Sequence, residues 1–215
     1  MSGYAVKEMF LTLQGEGIQF GRRAVFVRFA GCNLWSGREQ DRVHAECTFC
    51  DTDFVGINGD NGGRYPGADA LADKARELWD RWLEETGDRA FVVMTGGEPL
   101  LQVDEALIAA LKARDFELAI ETNGTLPAPD GIDWICVSPK QGTRIVQRRG
   151  NELKLVWPQT GMNHKELEEW DFDHLLVQPM DGPSLHDARE ACIKFVARHP
   201  RWRLSLQNHK MIGLR

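Results

Sequence analysis

Three cysteines in one stretch have the spacing of a metal centre. From Gly31 to Thr52 the chain reads GCNLWSGREQDRVHAECTFCDT. Two residues separate Cys47 from Cys50, so both thiolates can leave one tight turn toward the same metal or cluster. Fourteen residues separate Cys32 from Cys47, and Cys32 brings a third thiolate from the far end of the loop. Three cysteines without an obvious fourth suit an iron–sulfur cluster with one iron left open to a cofactor or substrate. With His44 the same three would suit a closed Cys₃His zinc site. In a reducing compartment, clustered thiols signal metal or catalysis rather than disulfides. Cys136 and Cys192 lie in an apolar strand pattern and an apolar helix pattern, and read as small core residues.

The elements that must position these residues follow from periodicity. Residues 24–30, AVFVRFA, form a buried strand interrupted by Arg28, whose guanidinium needs an anionic partner. A Gly-rich segment, Gly56–Gly67, reads as a mobile surface loop and a candidate lid. From Ala68, Leu71, Ala75, Leu78, Trp82 and Leu83 recur at helical spacing, with Gly87 at the helix end. Strands follow at 90–95, 116–121, 133–138, 152–157, 174–179 and 202–207. Helices are expected at 103–114, at 163–169, and from a Ser184 cap to about His199. Alternating strands and helices predict parallel β/α units. With 215 residues the chain is shorter than the ~250 of an eight-fold barrel, so the predicted fold is a single-domain α/β partial, open parallel barrel.

Composition narrows the function classes. The charge of −6 argues against a nucleic-acid surface, and no apolar run approaches the ~18 residues of a membrane span. MSGYAVKEMF lacks a secretory signal, so the expected location is cytoplasmic.

The unusual residues all follow strands. Gly31-Cys32-Asn33, Gly96-Gly97-Glu98-Pro99, Glu121-Thr122-Asn123-Gly124, Ser138-Pro139-Lys140, Gln178-Pro179-Met180-Asp181 and Asn208-His209-Lys210 would meet at the C-terminal ends of the strands, where such folds build their sites. That convergence favours a cluster in a substrate site over a remote zinc knuckle. Gly96 and Gly97 would let a ligand touch backbone, with Glu98 meeting a cationic group.

The cysteine loop, GGEP, ETNG and SPK resemble radical S-adenosylmethionine (SAM) enzymes. LQGEG at 13–17, the Cys-x₁₄-Cys-x₂-Cys spacing, CDTDFVG at 50–56, TGGEPLLQ at 95–102 and LQNHK at 206–210 resemble, more narrowly, the 7-carboxy-7-deazaguanine synthases. The long first gap departs from the usual CxxxCxxC and is shared by some members of that family. The likeness spans nearly the whole chain, as one domain at 1–215 with a cluster-loop insertion near 31–52. Another radical SAM enzyme, such as a glycyl-radical activase, is the alternative.

The resemblance implies a [4Fe–4S] cluster on Cys32, Cys47 and Cys50. It implies SAM contacts from Phe49, Cys50, Asp51, Gly97, Glu98, Ser138, Pro139, Lys140, Gln178, Pro179, Met180 and Asp181. The implied reaction is ring contraction of 6-carboxy-5,6,7,8-tetrahydropterin to 7-carboxy-7-deazaguanine with loss of ammonia, on the route to queuosine. It is initiated by a 5′-deoxyadenosyl radical. Leu13, Gln14, Gly15, Glu16, Arg28, Thr95, Glu121, His209 and Arg215 would hold this pterin, with Arg28 on its carboxylate and Glu16 and Glu121 on its N–H groups. The resemblance further implies Mg²⁺ on Thr52, an electron donor such as flavodoxin or ferredoxin, and a homodimer.

Overall fold

The computed structural model describes residues 3–81 and 89–214. In chain order the elements are β1 (Tyr4–Leu13), β2 (Arg23–Phe29), β3 (Gly63–Tyr65), α1 (Ala68–Asp80), β4 (Ala90–Gly96), α2 (Glu105–Lys112), β5 (Phe116–Thr122), β6 (Trp134–Val137), β7 (Arg149–Trp157), α3 (His164–Leu167), β8 (Asp171–Pro179), α4 (Leu185–Arg198), β9 (Trp202–Leu204) and α5 (Asn208–Ile212). Short 3₁₀ turns cover Glu39–His44 and Pro99–Leu101.

The described strands form one sheet in the order β3-β1-β2-β4-β5-β6-β7-β8-β9. From β2 onward every neighbouring pair is parallel, while β1 runs antiparallel to both β2 and β3. The sheet has two free edges and does not close, which is the expected partial barrel. Its two sides are nevertheless tied across the mouth. Asn208 N–H donates to Gly15 O at 2.9 Å, and Gly17 N–H donates to Ser205 Oγ at 3.1 Å.

Two apolar clusters carry the fold. One packs α1 and α2 against β1, β2, β4 and β5 through Val27, Leu71, Leu107 and Ile120. The other packs α4 against β7, β8 and β9 through Leu155, Val177, Cys192, Phe195 and Trp202. Helix α1 buries Leu71, Ala75 and Leu78 as its period predicts, together with Trp79. Trp82, Leu83 and Gly87 lie outside the described residues. Asp104 caps α2 by accepting from Leu107 N–H at 2.9 Å, whereas Ser184 precedes α4 without a side-chain capping bond.

Several elements depart from the sequence pattern. β1 falls outside the predicted elements, because YAVKEMFLTL mixes Lys7 and Glu8, the latter lining the cavity, with apolar residues such as Val6 and Met9 that join the core. The predicted lid at 56–67 is instead docked on the sheet edge: Gly63–Tyr65 pairs with Tyr4–Val6, and Gly59 N–H donates to Lys7 O at 2.9 Å. A Cβ on Gly62 would lie 2.3 Å from Lys7 O, so this glycine permits the close approach. No residue of 56–67 lines the main cavity. The strand expected over 202–207 stops at Leu204 and gives way to the segment leading into α5.

Candidate active site

At the C-terminal ends of the strands lies a cavity of about 450 Å³. Three groups of residues build it: the cysteine loop, the polar interior of the strands, and the chain's last turn.

The cysteine loop is held at its start by the ends of β4 and β5. Glu98 N–H donates to Gly31 O at 2.9 Å, and Asn123 Nδ2–H donates to Asn33 Oδ1 at 3.0 Å. Within the loop, Arg42 lies 4.0 Å over the Trp35 ring and donates to the carbonyls of Thr48 and Cys50 at 3.0 Å each. Trp35 packs edge-on against buried Phe54. All three cysteines carry free thiols, and burial pushes the thiols of Cys32 and Cys50 up. Cys47 contributes charge repulsion to both, so the three sulfurs share one electrostatic neighbourhood. A cation that binds them relieves that repulsion.

The zinc alternative does not fit this arrangement. His44 is exposed in the 3₁₀ turn. A Cys₃His zinc site would need that fourth ligand, whereas a polynuclear cluster with each sulfur on its own iron needs no fourth protein ligand.

Gly96 and Gly97 answer to the protein's own backbone first. A Cβ on Gly96, at φ +130°, would stand 2.2 Å from Phe29 O, and one on Gly97 would stand 2.1 Å from Gly31 O. Both residues also line the cavity. Glu98 corrects the sequence expectation. It is fully buried and does not line the cavity. Its carboxylate accepts from Leu100 N–H at 2.9 Å, Thr122 Oγ1–H at 2.8 Å and Asn123 N–H at 2.8 Å, and burial raises its pKa. These donors hold the carboxylate, with the Lys140 ammonium a weaker influence, and Glu98 fastens the end of β4 to the end of β5.

Alternation along the strands puts charge inside the barrel. On β7, Leu153 and Leu155 enter the core while Lys154 points into the cavity. Lys154 is 4% exposed and donates to Glu16 Oε2 at 2.5 Å and Glu121 Oε2 at 3.2 Å. Glu16 also accepts from Gln178 Nε2–H at 3.0 Å and Gln207 Nε2–H at 3.1 Å. Against the cost of its burial, Lys154 and the two glutamines hold the Glu16 carboxyl below the usual range, and the two carboxylates hold the Lys154 ammonium well above its own. Gln14 Nε2–H donates to Glu121 Oε1 at 2.9 Å, fixing the second carboxylate. Across the cavity, Arg28 finds its anionic partner in Glu8, with Nε 2.8 Å from Oε1, and stands beside Thr95 in the β2–β4 register.

The last turn closes the third side. A Cβ on Gly15 would lie 2.3 Å from the His209 ring, so the LQGEG glycine makes room for that histidine. Lys210 bridges Asp51 at 2.5 Å and Asp181 at 2.6 Å. Lys140 donates to Ser138 Oγ at 2.8 Å and lies 5.4 Å from the Phe49 ring centroid.

Of the residues singled out from sequence, the cavity gathers Leu13, Gln14, Gly15, Glu16, Arg28, Cys47, Phe49, Cys50, Asp51, Thr52, Thr95, Gly97, Glu121, Ser138, Lys140, Gln178, Pro179, Asp181 and His209. Cys32 sits beside it: its Cβ is 2.8 Å from the position a Cβ on Gly97 would take. Pro139 and Met180 do not line it, and Arg215 lies outside the described residues. Glu8 and Lys154 escaped the sequence reading, and Lys210 enters it only as part of Asn208-His209-Lys210. Lys154 had a readable signal, a charged residue inside a strand pattern that is largely buried.

The model of the radical SAM superfamily matches residues 43–151. Over 212 residues the chain is 58% identical to the 7-carboxy-7-deazaguanine synthase of Bradyrhizobium diazoefficiens, covering 99% of each chain. It is 36% identical over 212 residues to that of Bacteroides thetaiotaomicron, covering 98% of each. Its fold is similar to the crystal structure of QueE from Escherichia coli, at a TM-score of 0.70 and 27% identity over 96% of this chain and 95% of that one. These likenesses favour the synthase over the glycyl-radical activase. Taken with a cavity lined by Leu13 to Glu16, the CxxC pair, Gly96 and Gly97, and His209 and Lys210, they establish that the chain belongs to the 7-carboxy-7-deazaguanine synthase family of radical SAM enzymes.

Proposed function

We propose that this chain contracts the ring of 6-carboxy-5,6,7,8-tetrahydropterin to give 7-carboxy-7-deazaguanine and ammonia, supplying a deazapurine for queuosine. The observation that supports this substrate is the polarity of the cavity: a guanidinium on one wall faces carboxylates on the other. Arg28, oriented by Glu8, receives the pterin carboxylate, and Thr95 lies beside it. Glu16 and Glu121 face the donor edge of the pterin, fixed by Lys154 so that they need not reorganise when the ligand enters. His209 packs on Gly15 and closes the side next to α5.

Cys32, Cys47 and Cys50 hold the [4Fe–4S] cluster, which with SAM supplies one-electron chemistry when bound. Phe49, Gly97, Ser138 and Lys140, with Asp51 and Asp181 bridged by Lys210, form the wall for SAM. Thr52 offers a hydroxyl to Mg²⁺, a hard ion that takes oxygen donors from protein, substrate and water. By orienting the substrate and excluding water, the chain's own residues confine the chemistry to one carbon. A cytoplasmic location, a flavodoxin- or ferredoxin-type donor and a homodimer complete the reading.

Anaerobic incubation of the reconstituted protein with SAM, a reductant and the carboxytetrahydropterin tests it. The expected outcome is the deazaguanine and one equivalent of ammonia by mass spectrometry and ammonia assay. SAM cleavage without that product would overturn the substrate assignment.

A further inference from the structure

We propose a second metal site, formed by His164, Glu168 and His199 and suited to one divalent transition ion of the zinc type. It lies away from the cavity. His164 begins α3 and Glu168 follows it, just ahead of β8, while His199 ends α4 just ahead of β9. The cavity instead meets β8 at Gln178 and Pro179, the opposite end of that strand. The inference does not depend on the substrate proposed above.

Three observations carry it. One ligand atom from each residue lies within 4.8 Å of the other two, and this is the one such trio of His, Cys, Asp and Glu among the described residues. The imidazoles of His164 and His199 approach to 4.3 Å between centroids, and Nε2 of His164 is buried with no hydrogen-bond partner. A buried ring nitrogen without a partner carries a desolvation cost that a metal–nitrogen bond removes. Finally, Glu168 is already oriented, because Trp202 Nε1–H donates to its Oε1 at 2.7 Å, the kind of outer contact that aims a carboxylate ligand.

Packing alone explains less. Phe195 lies 5.2 Å from the His164 ring and 4.6 Å from the His199 ring, so the pair belongs to an aromatic cluster. That cluster accounts for the carboxylate as the acceptor of the buried Trp202 indole N–H, but not for the orphaned ring nitrogen of His164. Arg201, 3.6 Å from Glu168, is the local competitor for the carboxylate, on a side chain that is itself largely exposed. Two imidazoles and one carboxylate select zinc, cobalt, nickel or copper over magnesium and calcium. Three protein ligands leave a fourth position for water. An ion here would pin the end of α4 to α3, at the entries to β8 and β9.

The test uses the anaerobically reconstituted holoenzyme, treated with EDTA, desalted and exposed to Zn²⁺. The wild type should retain one equivalent of zinc without losing iron. His164→Asn and His199→Asn should keep their iron and bind zinc more than about 100-fold more weakly, since even an outer partner of a ligand is worth roughly 10–100-fold. Zinc-edge X-ray absorption of the wild type needs no variant. It should show nitrogen and oxygen neighbours near about 2.0–2.1 Å and no sulfur near about 2.3 Å. No retained zinc, zinc surrounded by sulfur, or equal retention by the folded variants would each overturn the site.

Discussion

The cysteine loop and the charged wall of the strands face the same cavity but are built in opposite ways. The loop places Cys47, Phe49, Cys50, Asp51, Thr52 and Asp53 within seven residues of sequence. The wall takes Glu8, Arg28, Glu121 and Lys154 from four strands, and the Lys154–Glu16 contact joins residues 138 apart. The loop is fastened by backbone carbonyls and one stacked arginine, the wall by ion pairs in the barrel interior. As a cluster ligand set the loop would work only when complete, because each thiolate would serve its own iron. An ionic wall is graded, because each group adds to orientation and affinity without being the reacting centre.

The sharpest way to break this contrast is at the cysteines. Cys32→Ala, Cys47→Ala or Cys50→Ala should each abolish SAM cleavage, while Cys136→Ala and Cys192→Ala, both buried in the fold, should retain it. If Cys136 proves as necessary as Cys47 in an anaerobic cleavage assay, the loop does not own the cluster.

The wall should fail by degrees. Lys154→Met leaves two carboxylates without their shared cation and should cost roughly 3–5 kcal/mol of stability in denaturant titrations, with iron content unchanged. The pH dependence follows from the signs. The Glu16 pKa is lowered in the fold, so its contribution is present above the ordinary carboxylate value and lost as pH falls through the folded one. The Lys154 pKa is raised, so its contribution is present below the ordinary lysine value and lost as pH rises through the folded one. The wild-type advantage should therefore be flat between about pH 6 and 9 and shrink below about pH 4.5. A difference that is largest in acid would contradict the pairing.

Arg28→Met should spare the cluster and SAM binding but weaken pterin binding by roughly 2–4 kcal/mol, read by titration of the carboxypterin. Unchanged affinity would show that Glu8, rather than a ligand, is the guanidinium's sole purpose. Thr52→Ala should have the smallest effect: initial rates should respond less to Mg²⁺ than in the wild type, and coincident titration curves would remove Thr52 from the metal's ligands.

Chemistry carried by local spacing was determined by the sequence. The CxxC pair, the strands at Ala24, Ala90, Phe116 and Leu175, and the polar residues that follow them could be read directly, because one turn or one strand fixes their geometry. Tertiary structure alone decided how those pieces use one another. GGEP reads as a ligand platform, yet its glycines yield to Phe29 and Gly31 and its glutamate ties β4 to β5. The Gly-rich run reads as a lid, yet it completes the sheet edge beside β1. Lys154 reads as one polar residue in ELKLVW, and only the curl of the sheet brings Glu16 and Glu121 to it. The physical reason is the range of the interactions: hydrogen bonds and ion pairs reach about 3 Å in space, while their partners here lie 20 to more than 100 residues apart along the chain.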